Sequence, residues 1–558
     1  MIWILGTAGV LVLAALYVRL ARMNARLEVI ERQLPKNGRH AAGAFVLWAC
    51  TSGTAHAQAP VSPADVVATA AADAWGLPPA ARSQARYLSL HNIPLAQREQ
   101  AISVVSLHCN GLSRESDIVV PVAVGSGLLR IYLSDYDWPA SVWDKLADPV
   151  FVTQIEAKSE AVPWPGGVWP DDGKHYAAGS FTVRRKVKKA ALAPWLGAAN
   201  AAELANLTQS QCPIVRADWF VWNTAIQADR NPGYYDFIGV KNKKDFDALV
   251  GYDEKLQKSA RRVELLEAVA DSTVTLQPRR IGAFPAISGW YWQTFDSRQS
   301  VDEKNPLRIL NGGFKFDAQE VFGHLPNGIF AWGLFDDKGV RQDAAPDFIA
   351  SDATAHGTDR RVHNNLSCVR CHAGSGGVQP VDGWARSLFT GALKLQSPDY
   401  EKLKDLRQKY LRDLEGPMED SRRTYARAIA QATRVSNPAQ LAAIITRAVA
   451  PIAGGANPAE AAAVIEQAVN GLRPAQAGAA YGDFFAAYDR PVSLERAARD
   501  LGVTPEKLTT ALKASLLRTG SVDTVAASFL GVKPRGIPVL QYHEVVSTLA
   551  TLASGYQP

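Results

Sequence analysis

Along the chain the apolar positions change rhythm repeatedly, and each change predicts a different kind of element. The opening run IWILGTAGVLVLAALYV, Ile2 to Val18, carries no charge; as a helix rising 1.5 Å per residue it spans roughly 25 Å, just enough to cross hydrocarbon. A basic stretch follows, with Arg19, Arg22, Arg26, Arg32, Lys36 and Arg39 against Glu28 and Glu31. After it a second apolar run, AAGAFVLWACTSGTAHA, ends in small residues at Ala57. The spacing of RYLSLHNIPLAQREQAISVVSLHCNGLS predicts helical stretches interrupted at Pro94. The β-rich runs VVPVAV and LLRIYLSDY flank Gly125, Ser126 and Gly127, which predicts two strands about a tight reversal.

Aromatic density then rises through ADWFVWNTA, NPGYYDFIGV and ISGWYWQTF, interleaved with Pro and Gly, so this portion reads as mixed and loop-rich. EVFGHLPNGIFAWGLFDDKGVRQD carries the turn formers Pro326, Asn327 and Gly328, then Asp337, Lys338 and Gly339, and predicts a hairpin or meander. From Asp399 onward, as in YEKLKDLRQKYLRDL, apolar residues fall at helical spacing. NPAQLAAIITRAV and NPAEAAAVIEQAV each begin with Asn before Pro, the favoured N-cap and first helical residue, and Thr504 with Pro505 repeats the logic. The fold class expected is α+β, predominantly helical, with small antiparallel hairpins in an aromatic-rich N-terminal region and an all-helical C-terminal region. The organisation expected is a membrane and signal-like segment over 1–57, a mixed domain over 58–300, a β-hairpin plus motif segment over 301–398 and a helical domain over 399–558.

A hydrophobic content of 47% with 20% charge excludes a disordered chain, which lacks the apolar residues needed to offset backbone ordering. No GxSxG, Walker or dinucleotide-binding fingerprint occurs. The basic stretch, the second apolar run and the small residues Ala55, His56 and Ala57 before Gln58 together read as a secretory signal. Translation from Met23 would make that signal conventional, whereas the first run would otherwise anchor the chain in the inner membrane; Cys50 is a third, lipid-bearing alternative that Trp48 fits poorly. The expected location is the periplasm or cell envelope. Export with cleavage leaves Cys109, Cys212, Cys368 and Cys371. In an oxidising compartment Cys109 and Cys212 are expected to form a disulfide, with two buried free thiols as the rival.

The remaining pair lies in LSCVRCHAG, which places Cys368, Cys371 and His372 in the spacing CxxCH. Two thiols three residues apart reach the two vinyl groups of a porphyrin, and the adjacent imidazole is placed to bind its iron. Two other chemistries compete. Cys368, Cys371, His372 and His363 could hold tetrahedral zinc, and a CxxC dithiol could serve redox chemistry at a strand-to-helix junction, which the preceding RVHNNLS does not suggest.

SCVRCH resembles the attachment motif of the c-type cytochromes. Its surroundings, FGHLPNGIFAWGLFDDKGVRQDAAP and NNLSCVRCH, with YLSLHNIP upstream and RPVSLERAARDLG downstream, resemble a group of large bacterial envelope proteins with a single haem motif. The resemblance implies a cytochrome c-like haem segment with one covalent haem c, thioethers at Cys368 and Cys371, and His372 as proximal iron ligand. It also implies single-electron transfer with a redox partner protein. A haem peroxidase-like oxidoreductase, or an envelope scaffold or sensor with a structural haem, is the alternative.

For the sixth ligand, Met418 in DLEGPMEDSRR stands forty-six residues after His372, although its charged neighbours read as a surface; His324, His356 and His363 are nearer, and an open distal site is the remaining option. RRKVKK, Arg184 to Lys189, reads as a solvated basic edge strand rather than a docking site. Trp219, Trp222, Trp290 and Trp292 read as core packing, and Asp336, Asp337 and Asp343 lack the spacing of a calcium loop.

Overall fold

The computed structural model describes residues 61–125, 127–155, 189–226, 231–255, 274–306, 314–352, 360–372, 378, 414–433, 480–485, 487–516, 523–531 and 534–555. It also describes short strands at 160–164, 167–168, 175–176, 179–183 and 265–269. Both N-terminal apolar runs, Met23, Cys50, His356, Arg184 to Lys188 and the two NPA segments lie outside the described residues. Among the described residues no helix is long and apolar enough to cross a membrane.

The N-terminal half runs α1 (Pro63–Gly76), β1 (Ala85–Ser89), α2 (Leu95–Gly111), β2 (Val122–Val124), β3 (Leu128–Tyr132), α3 (Ala198–Thr208), β4 (Ile214–Arg216) and α4 (Ala217–Ala225). Helix α1 starts at a reciprocal cap: the Ser62 hydroxyl accepts from the Asp65 amide at 3.1 Å while the Asp65 carboxylate accepts from Ser62. The four strands form one sheet in the order β4-β1-β3-β2. β2 and β3 are the two strands predicted around Gly125, which takes φ +59 in the turn between them. RYLSL is not helical. Its residues form β1, which pairs antiparallel with β3, Leu88 opposite Leu129, and parallel with β4, Tyr87 opposite Ile214. All five β1 residues are buried, so the strand shows none of the alternation by which a half-buried strand is recognised.

The second sheet is an antiparallel meander of β5 (Leu265–Val269), β6 (Arg279–Ala286), β7 (Gly289–Phe295), β8 (Ala318–His324) and β9 (Phe330–Asp336), each strand paired with the next in sequence. The predicted LPNG hairpin is its last corner, with Gly328 at φ +86. Two substantial sheets, one with a parallel pair and one of five strands running across residue 300, correct the expectation of a predominantly helical chain with only small hairpins. The fold is α+β with both classes well represented. The N-terminal sheet pairs β1 with β4 from segments far apart in sequence, where local helical spacing is the weaker guide.

Register decides what each face of the meander carries. Ala283, Trp292, Phe322 and Trp332 stand side by side across β6 to β9, with Glu320 and Leu334 in the row before and His324 and Phe330 in the row after. This face is covered by α5 (Leu366–His372) and α6 (Glu415–Ala432). On the opposite face Tyr291 and Phe335 meet Tyr252, Phe246 and Tyr235. The described C-terminal residues include α7 (Leu494–Asp500), α8 (Pro505–Leu516), which Thr504 caps as predicted at 3.2 Å, and α9 (Val539–Ser554). One buried apolar cluster runs from Val66 to Ala553 through both sheets and these helices.

His91 and His108 are enclosed in that core, and His543 is half-buried against it. His91 donates from Nε2 to the Asp500 carbonyl at 3.0 Å and accepts from the Ser89 hydroxyl at 2.7 Å; His108 joins the Tyr481 and Thr224 hydroxyls; His543 meets the Tyr488 hydroxyl at 3.0 Å. Burial holds His91 down to about 4 and His108 and His543 down to about 3. A base depressed in the folded state stabilises it above the unfolded pKa of about 6.5, and that contribution is lost as pH falls from there toward the folded value. Each histidine contributes a slope of roughly 1.4 kcal/mol per pH unit across this window, partly opposed by Asp218 and Asp296, which burial holds above the usual carboxylate range. The urea midpoint is therefore expected to drop steeply between pH 7 and pH 5, and a flat midpoint over that range would contradict the enclosure of these rings.

Candidate functional site

The motif lies on the seven-residue helix α5, and the two asparagines before it fix where the helix starts. Asn365 takes φ +61, a conformation that asparagine tolerates, and its amide donates to the Ala225 carbonyl at 3.2 Å. Asn364 donates to the Trp332 carbonyl at 3.2 Å, tying the turn to β9, and the Ser367 hydroxyl accepts from the His363 amide at 3.1 Å. Both asparagines were passed over in the sequence, where the doubled Asn ahead of an apolar residue was the available signal for a turn and helix start.

One turn of helix sets the three motif side chains. Cys368 and His372 are four residues apart and share a face, with Cys371 beside them. The Cys368 thiol is 3% exposed and lies 3.7 Å from the Glu320 carboxylate. Burial first, and Glu320 second, push it well above the usual thiol range; burial and the Asp352 and Glu320 carboxylates also raise Cys371. Both sulfurs are thus neutral thiols at neutral pH. The His372 ring packs on an aromatic floor, its centroid 4.8 Å from that of Trp332 and 5.9 Å from that of Phe322.

Arg370, one of the two residues between the cysteines, points to a different set of partners. Its guanidinium lies 3.4 Å from Asp352 and 3.6 Å from Asp489, and the latter also accepts from the Trp222 indole at 2.7 Å. Glu320 is itself held by Arg279 at 3.1 Å, and Arg279 pairs with Asp296 at 2.8 Å. The motif helix is therefore anchored at its start by amides, along its length by ion pairs and over its chemical face by aromatic rings.

The sequence-derived ligand candidates fall unequally around it. His324 is on the same sheet face as the aromatic floor, 2% exposed, with its ring stacked on Phe330 at 4.3 Å. Its Nδ1 donates to the Gly328 carbonyl at 3.0 Å, its Nε2 has no hydrogen-bond partner, and burial holds its pKa down to about 4. Met418 is not a surface residue. It is 5% exposed on the inner face of α6, one turn before Ser421, which accepts from the Trp292 indole at 3.1 Å, and on the side of Tyr425, whose ring lies 4.8 Å from Phe330. The charged neighbours that suggested a surface lie on the outer side of this amphipathic helix. His363 precedes α5 in an antiparallel β-bridge with Ala344.

Among the described residues no group of three or more His, Cys, Asp and Glu side chains converges in metal-holding geometry, so the zinc set drawn from Cys368, Cys371, His372 and His363 is not assembled. Cys109 on α2 and Cys212 ahead of β4 are separate, fully buried free thiols rather than the expected disulfide. Burial raises both thiols far above their ordinary pKa. Trp219 is buried in the core, Trp222 and Trp290 are half-buried against it, and Trp292 belongs to the floor. The donor set fits a covalent porphyrin: two neutral thiols and an imidazole on one turn, an apolar aromatic floor that keeps water away, and a buried bare ring nitrogen on the same face.

No protein-family model matches the chain, and neither a curated protein nor a solved structure matches it.

Proposed function

We propose that the chain is an exported envelope protein that carries one haem c, held by thioethers at Cys368 and Cys371 with His372 as iron ligand, and passes single electrons to a redox partner. The observation that carries this reading is the seating of CxxCH on one short, anchored helix with His372 over Trp332 and Phe322. Bound haem supplies one-electron exchange at its iron. The protein supplies position and environment. Asn364, Asn365 and Arg370 fix the helix, so the thiols and the imidazole would be presented to a porphyrin as a unit. Phe322, Trp332 and Trp292 exclude water from one side, and a low dielectric there disfavours the more positively charged oxidation state. The Glu320 carboxylate beside Cys368 opposes that effect.

The test is expression in cells competent for cytochrome c maturation, followed by a pyridine haemochrome spectrum and an intact mass. One covalent haem per chain is expected, and the mass also reads the processed N-terminus. Colourless protein, or protein with stoichiometric zinc, overturns the proposal. High-spin iron that binds carbon monoxide or peroxide would move the role from electron transfer to peroxidase-like or sensory chemistry.

A further inference from the structure

We infer that His324 is the second protein ligand of the haem iron, binding through Nε2; this rests on the haem reading above. A buried polar atom without a partner is uncommon, because the desolvation it suffers is not offset. Nε2 of His324 is such an atom, in a side chain 2% exposed. The tautomer follows from geometry. The Gly328 carbonyl can only accept, so the ring proton sits on Nδ1 and the lone pair on Nε2. A ligating histidine usually presents this state, with the distal N–H given to a backbone carbonyl and the other nitrogen bare.

The ring is held in place before any metal arrives. It stacks on Phe330, and the hydrogen bond to Gly328 fixes its rotation. Its Cδ2–Nε2 edge is buried against Gly289, at φ +131, which presents no side chain to it; a Cβ there would stand 3.2 Å from Cδ2 and 3.8 Å from Nε2. Placement on the sheet supplies the second argument. His324 occupies the row directly after Phe322 and Trp332, the two residues on which His372 packs, and both imidazoles lie on one face of β8 and β9. Met418 is buried on the inner face of α6, yet a thioether needs no hydrogen bond, so its burial among apolar residues is satisfied as it stands. The bare imidazole nitrogen is not.

Pulsed EPR of the ferric holoprotein counts the nitrogens on the iron without any substitution, and two histidine imidazoles are expected. His324→Gly should keep its covalent haem stain, lose the low-spin signal and regain it when imidazole is added; Met418→Leu should keep the low-spin signal. One imidazole only in the unsubstituted protein, or an unchanged low-spin signal in His324→Gly, overturns the assignment while leaving attachment at Cys368 and Cys371 intact. Unsubstituted protein without covalent haem overturns instead the reading beneath it. Should His324→Gly fail to fold, the nitrogen count in the unsubstituted protein decides.

Discussion

Replacing Cys368 and Cys371 together by alanine is expected to remove all covalently held haem from a protein that still folds. Each thioether needs its sulfur, and alanine offers none; coordination through His372 alone does not survive a denaturing gel. The fold should tolerate the change. Cys368 is 3% exposed and its polar contacts are weak ones with Glu320 at 3.7 Å and with the Asn365 backbone, so truncation removes a group of about methylene size and costs roughly 1 kcal/mol. A domain with a typical stability of about 5–15 kcal/mol absorbs that loss. Single variants separate the two sulfurs: either alone should retain haem through the other thioether, and Cys371→Ala should cost less stability because Cys371 is only partly buried. Haem-stained denaturing gels and intact masses read the outcome, and a double variant that still stains would end the attachment assignment.

The parts of this site that were legible in the sequence are local. CxxCH lies within a single helical turn, and the LPNG corner is announced by its own turn formers, between strands whose alternation places Glu320, Phe322 and His324 on one face. What was not legible depends on partners remote in sequence. The aromatic floor exists because register sets Trp292 beside Phe322 and Phe322 beside Trp332. β1 escaped notice because burial on both faces erases its period, and its parallel partner β4 lies more than a hundred residues away. Met418 was misjudged for the reverse reason: its sequence neighbours are charged, but a helix turns them outward and leaves Pro417, Met418, Ser421 and Tyr425 inside. Asp500, one of two acids in LERAARDLG, gave no sign of the role that tertiary structure assigns it.

That role underlies the largest stability effect expected in the molecule, from Arg216→Met. Arg216 is fully buried at the end of β4, with Nη2 3.0 Å from Asp148, Nη1 2.7 Å from Asp500 and its own backbone amide donating to Asp148 at 2.7 Å. Asn92 adds bonds of 2.9 Å to Asp500 and to Asp218. One cation thus joins the N-terminal sheet to α7, across 284 residues of chain. Removing one member of a buried ion pair leaves charge without compensation and costs about 3–5 kcal/mol, a large share of typical total stability. Arg216→Lys, which keeps the charge but loses the forked geometry, should lose less. The pH dependence carries its own sign. Burial pushes Asp500 up, but the Arg216 and Arg496 guanidiniums and the Asn92 amide outweigh it and hold the carboxyl below its usual range. Its contribution is therefore present above the ordinary carboxylate pKa and is lost as pH falls through the folded value. Without the cation, burial dominates and raises the same carboxyl, so the variant recovers stability on acidification. Urea denaturation should then show a gap between the two proteins that is widest near neutral pH and narrows toward pH 4; a loss below about 1 kcal/mol, the range of a surface pair, or a gap independent of pH, would show that this cluster does not hold the fold together.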